Sequence, residues 1–164
     1  MTAPLIALWA AFSMMGAGHF ISDEEGPLAW LHAAVAGMMM WGLIGLILGV
    51  ANLLSPSVFF TVAAVSALGW SKATLTVPSR WAVGTALLVS IPAVLDAAGP
   101  LTGVDELYLH GGLAQRMALH EGLVGGILHP NGSRPLTLQI IYTGLWSSGH
   151  PSSLSWFHWL ISGG

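Results

Sequence analysis

Seven histidines and seven carboxylates carry most of the ligand and proton-transfer chemistry open to this chain, because cysteine is absent. That absence removes disulfides, thiolate metal sites and cysteine nucleophiles together. His19 and His32 form the first group of interest, separated by the acidic run Asp23-Glu24-Glu25. Two imidazoles on facing helices can ligate a haem iron, and a single one can hold a chlorophyll magnesium. The neighbouring carboxylates can join them around a metal ion. The plainer reading makes each an interfacial histidine, hydrogen-bonded to a carbonyl or a lipid headgroup.

His110, His120, Glu121 and His129 form a second group, with Glu106 one helical turn before His110. Histidine mixed with carboxylate suits Zn, Fe or Mn. The zincin pattern H-E-x-x-H is absent, since Gly122-Leu123-Val124 follows Glu121 without a second histidine. The compact paired-histidine clusters of membrane di-iron enzymes are absent as well. Leu113, Met117, His120, Val124 and Leu128 recur at helical spacing, so His120 is expected on an apolar face. A polar ring there needs either a ligand or a hydrogen bond.

His150 and His158 flank a tryptophan-rich terminal stretch and suit either a pigment or the membrane interface. No G-x-S-x-G elbow and no glycine-rich phosphate loop is present. Asp96 and Arg116 are charges in or near apolar segments, which ordinarily invites a functional reading. The charges nevertheless fall at segment ends, and only Ser66, Thr74, Thr76 and Ser90 add polarity within the apolar runs. That pattern argues against ion transport by this chain alone.

The elements that must position these groups follow from composition. Charged residues are 7% of the 164, hydrophobic residues 54%, and the mean hydropathy is +0.74. An ordinary soluble domain carries about 25% charged residues, so the bilayer is the solvent this composition fits. Lys72, Arg80, Arg116 and Arg134 are the only basic side chains besides histidine. They are too few and scattered for a nucleic-acid surface or a polybasic lipid patch.

Charges divide the chain into apolar runs expected to be spans at about 4–21, 29–53, 57–76 and 81–98. The first lacks the basic leader of a secretory signal and reads as a span. Ser55-Pro56 is the expected turn between the second and third, Lys72 must snorkel, and Pro92 should kink the fourth. Trp30, Trp70 and Trp81 lie near span ends as interfacial anchors do. Two basic residues fall on each side, so orientation is not readable. Gly42, Gly45 and Gly49 line one stripe of the second span, where small residues let backbones approach, either within the chain or against another subunit.

Residues 99–164 differ. An amphipathic surface helix is expected near 104–128, then a turn-rich stretch, then a charge-free segment from Pro135 to Gly164. That last segment reads as a fifth, broken membrane-embedded element rather than a tryptophan-rich interfacial tail. The expected protein is therefore all-α and polytopic: four to five transmembrane helices plus one surface amphipathic helix. It divides into a four-helix transmembrane region, 1–98, and a membrane-associated region, 99–164.

The functional expectation is a non-catalytic accessory subunit of a large energy-transducing membrane complex, photosynthetic or respiratory. Its partners would be other integral membrane subunits and lipids. Its cofactor, where it holds one, would be chlorophyll (with carotenoid) or haem, bound first at His32, then at His120 and His19. Two alternatives stand beside it. One is a membrane-interface metalloenzyme using His110, His120, Glu121 and His129, and the other is a small transporter.

Overall fold

A computed structural model of the chain describes residues 2–22, 29–73, 111–123 and 137–162, together with Gly84, Leu88, Ser90, Ile91, Leu95 and Ala98. Among the described residues the fold is all-helical, with no strand. The helices are α1 (Ala3–Ile21), α2 (Ala29–Val50), α3 (Pro56–Ala67), α4 (Gly112–His120), α5 (Thr137–Ser147) and α6 (Ser153–Ser162). A 3-10 turn, Leu68–Lys72, continues α3.

Helices α1 and α2 are long and apolar enough to cross a membrane, with mean hydropathy of 1.4 and 2.1. Both are apolar on every face, the pattern of a helix in a large core or in lipid. Proline opens α1 and α3, where a missing N–H costs nothing and the fixed φ suits the first turn.

The third expected span is altered. Its α-helix stops at Ala67, and the tighter 3-10 turn ends at Lys72, before residue 76. Together the two segments reach about 28 Å by their rises per residue. Most of the expected fourth span, 81–98, lies outside the described residues; Gly84, Leu88, Ser90, Ile91 and Leu95 within it are helical.

The surface helix expected near 104–128 is also cut short. Glu121 takes a left-handed conformation (φ 51°), and Gly122 N–H donates to Met117 O at 3.2 Å, closing α4. Helix α2 ends the same way: Asn52 is left-handed (φ 55°), and Leu53 N–H donates to Leu48 O at 2.8 Å. The two ends then interlock. Leu54 N–H donates to Glu121 O at 2.7 Å, and Leu123 N–H donates to Gly49 O at 3.1 Å. Each helix thus satisfies backbone groups that its own geometry leaves unpaired. A Cβ at Gly122 would meet Asn52 Oδ1 and come close to Gly49 O, so a side chain there would have to push the Asn52 amide aside.

Glycine also sets the spacing of the long helices. A Cβ on Gly18 would strike the backbone of Ala33, and one on Gly37 would strike the carbonyl of Met14. Position 14 opposite 37 and 18 opposite 33 make α1 and α2 an antiparallel pair. Gly16 and Gly69 bring α1 equally close to the 3-10 turn. The glycine stripe of α2 packs within the chain: Gly45 faces Ile140 of α5, and Gly49 faces Leu123 and Leu54.

The terminal segment forms two short helices rather than one span. Gly149 is left-handed (φ 80°) in the turn between them, and Ser153 N–H donates to His150 O at 2.9 Å. Helix α5 lies against α2 and α4, and α6 lies along α1. Ala7, Ala10 and Met14 of α1 meet Ile141, Tyr142 and Leu145 of α5 and Phe157 of α6 in the shared core.

Candidate functional site

Trp70 organises the end of the molecule where α1 finishes, α2 begins and the 3-10 turn lies. Its ring stacks on Phe12 at 4.8 Å and 13°, and its Nε1–H donates to Phe12 O at 2.8 Å. The His19 and Trp30 rings tilt against it at 4.9 and 5.5 Å. Lys72 sits over Phe20 at 5.7 Å, so its ammonium rests on an aromatic face as a snorkelling lysine does. One indole therefore joins α1, α2 and the 3-10 turn, with tips polar and bodies apolar.

The two histidines of this end differ in surroundings. Gly18 abuts Ala33, so His19 and His32 lie at the same level of the antiparallel pair, as their positions in the sequence imply. His19 is partly covered, and its Nε2 is buried without a hydrogen-bond partner. His32 is exposed on the first turn of α2. As placed, an incoming metal would have to displace protein to meet His19 Nε2. Asp23, Glu24 and Glu25 lie outside the described residues.

The second histidine group is only partly in view. His110, His129 and Glu106 lie outside the described residues. His120 and Glu121 are adjacent and both exposed at the end of α4, whose buried residues are Leu113, Ala114 and Met117. His120 keeps the helical phase of Leu113 and Met117 but is the last residue of α4, and it is exposed where the helix closes at Glu121. Among the described residues no three metal-ligating side chains gather.

Two polar pairs escaped the sequence pattern. Trp41 Nε1–H donates to Ser66 Oγ at 3.0 Å, both side chains buried, joining α2 to α3. Tyr142 Oη and His158 Nδ1 lie 2.6 Å apart, joining α5 to α6. Neither spacing (25 and 16 residues) follows a helical period, so only the packing of helices reveals them. In the sequence Ser66 is only a polar residue inside an apolar run, and His158 only a flanking histidine.

Between α2, α3 and α5 runs a half-open apolar groove, lined among others by Trp41, Leu48, Phe59 and Ile140. Its cavity volume is about 40 Å³, room for a few water-sized bodies and far too little for a tetrapyrrole. Among the described residues that line it, Ser55 carries the only hydroxyl, and none has an acidic or basic side chain. Comparison with protein-family models, with curated proteins and with solved structures finds no match to the chain.

Proposed function

We propose that the chain is an integral membrane protein that serves as a non-catalytic accessory subunit of a larger energy-transducing membrane complex. The observation that carries this reading is one stripe along α2. Leu31, Val35, Met39, Leu43, Ile47 and Val50 are each more than half exposed. Their spacing of four residues, and three at the end, keeps them on one side of the helix, which is about 33 Å long at 1.5 Å per residue. An apolar face of that length matches the roughly 30 Å hydrocarbon layer of a bilayer. In water it would be a severe aggregation liability.

Further spans belong to the same reading: α3 with its 3-10 extension, the apolar run at 81–98, and the pair α5–α6 as a broken embedded element. Support for a supporting rather than catalytic role comes from the interior. The helix contacts are made by glycines, alanines and large apolar side chains, and α1, α2, α3, α5 and α6 contain no formal charge. Within this reading His32, then His120 and His19, are the positions assigned to chlorophyll magnesium or haem iron.

Isolation of the chain in mild detergent, with the mass and absorption spectrum of what accompanies it, tests the proposal. A large coloured assembly, bleached by His32→Leu, is the expected result. A small colourless particle would sink the subunit reading.

A further inference from the structure

We propose that Tyr142 and His158 form a redox-active phenol–imidazole pair, in which Tyr142 gives up an electron while its proton crosses to His158. The packing supplies the geometry. The turn around Gly149 folds α6 back on α5, and the Tyr142 ring is 1% exposed with Phe157 edge-on at 6.2 Å. Its Oη lies 2.6 Å from Nδ1 of His158, whose ring is exposed. The phenol's body is thus in apolar surroundings, while its oxygen touches a base on the outer side.

Chemistry follows from that division. A phenol that loses an electron and keeps its proton is a cation, and a cation is costly in an apolar interior. The proton therefore moves with the electron. With His158 in its Nε2-protonated tautomer, Tyr142 Oη–H donates to Nδ1. On oxidation the O–H bond breaks, an Nδ1–H bond forms, and one electron passes to the oxidant. The products are a neutral phenoxyl radical inside, an imidazolium outside, and the oxidant reduced by one electron. Returning the electron returns the proton along the same short path.

The oxidant is a one-electron acceptor of the oxidised tetrapyrrole or high-valent metal class. Its presence beside α6 rests on the complex proposed above; the pair itself does not.

The isolated chain in detergent tests the pair independently of that complex. Flash-generated tris(bipyridine)ruthenium(III) serves as oxidant, and electron paramagnetic resonance reads the radical in protein carrying ring-deuterated tyrosine. The chain has two tyrosines, Tyr108 and Tyr142, so the assignment is clean. A tyrosyl signal is expected in the unaltered chain and in Tyr108→Phe, and not in Tyr142→Phe. In His158→Gln, shown by circular dichroism to keep its helices, radical formation should slow about a hundredfold, the low end of what a positioned base contributes. Slower formation in deuterated water should accompany the unaltered pair and disappear in His158→Gln. A signal from Tyr108 alone, or a Tyr142 radical forming equally fast in His158→Gln, would overturn the proposal.

Discussion

His19 and Trp41 show how a single polar atom fares inside so apolar a molecule. Trp41 Nε1–H has Ser66 Oγ as its acceptor; His19 Nε2 has none. A buried donor that loses its partner keeps its desolvation cost, whereas removing the orphan atom itself relieves one. Ser66→Ala should therefore destabilise the detergent-solubilised chain by about 1–2 kcal/mol, judged by thermal unfolding. Adding Trp41→Phe to it should recover part of that loss, because the stranded N–H goes too. Ser71→Ala, at an exposed hydroxyl bonded to Leu68 O, is the control and should do little.

His19→Phe should behave oppositely. It keeps a ring beside Trp70 and removes the buried unpaired nitrogen, so the melting temperature should hold or rise. His19→Ala loses the ring contact and should lower it. A fall on His19→Phe comparable to that on His19→Ala would mean that the nitrogen has a partner in the folded protein after all.

At the scale of elements, what a glycine faces decides what it tolerates. The Cβ of Gly37→Ala would meet a backbone carbonyl, which cannot step aside without moving α1. Gly45→Ala would meet the Cγ2 methyl of Ile140, a side-chain atom that is stiff at χ1 but less fixed than backbone, and Gly84→Ala meets nothing within 4 Å. The expected order of stability is Gly84→Ala at or above the parent, then Gly45→Ala, then Gly37→Ala. The last should cost about 3 kcal/mol, the upper range for overpacking. Equal effects at Gly37 and Gly45 in thermal unfolding would contradict the close approach of α1 and α2.

The same contrast explains what could be read from the sequence. Helices α1 and α2 were legible because long apolar runs bounded by charge or proline leave little choice, and the start of α1 falls within a residue of the expectation. The end of α2 fell three residues early because Asn52 adopts the left-handed turn usually given to glycine. Glu121 does the same to α4 and leaves His120 exposed at its last residue. Gly45 and Gly49 announced close packing through their spacing. The backbone contacts of Gly16, Gly18, Gly37 and Gly69 did not, since their reason lies in a partner element elsewhere in the chain. Tyr142 and His158 were illegible for that reason as well.

For the whole molecule, the deciding question is what covers the long apolar face of α2. Its small residues, Ala33, Gly37, Gly42, Gly45 and Gly49, are buried together with Trp41, while Leu31, Val35, Met39, Leu43, Ile47 and Val50 are exposed. Membrane helices commonly reserve small residues for helix contacts, so the large-residue face is the one left for lipid. The chain lacks cysteine, which allows single nitroxide labels at chosen positions. Met39→Cys, 69% exposed, and Leu43→Cys, 57% exposed, report on the stripe; Gln115→Cys, exposed on α4, reports on the rim. In reconstituted bilayers, oxygen concentrates in hydrocarbon and a nickel chelate stays in water. Collisions with oxygen should dominate at Met39 and Leu43, and collisions with nickel at Gln115. Nickel dominating along the stripe would place α2 in water and remove the membrane reading. In native membranes, collisions suppressed with both reagents at Met39 would mean that protein covers this face. The stripe itself would then be where the chain docks into its complex.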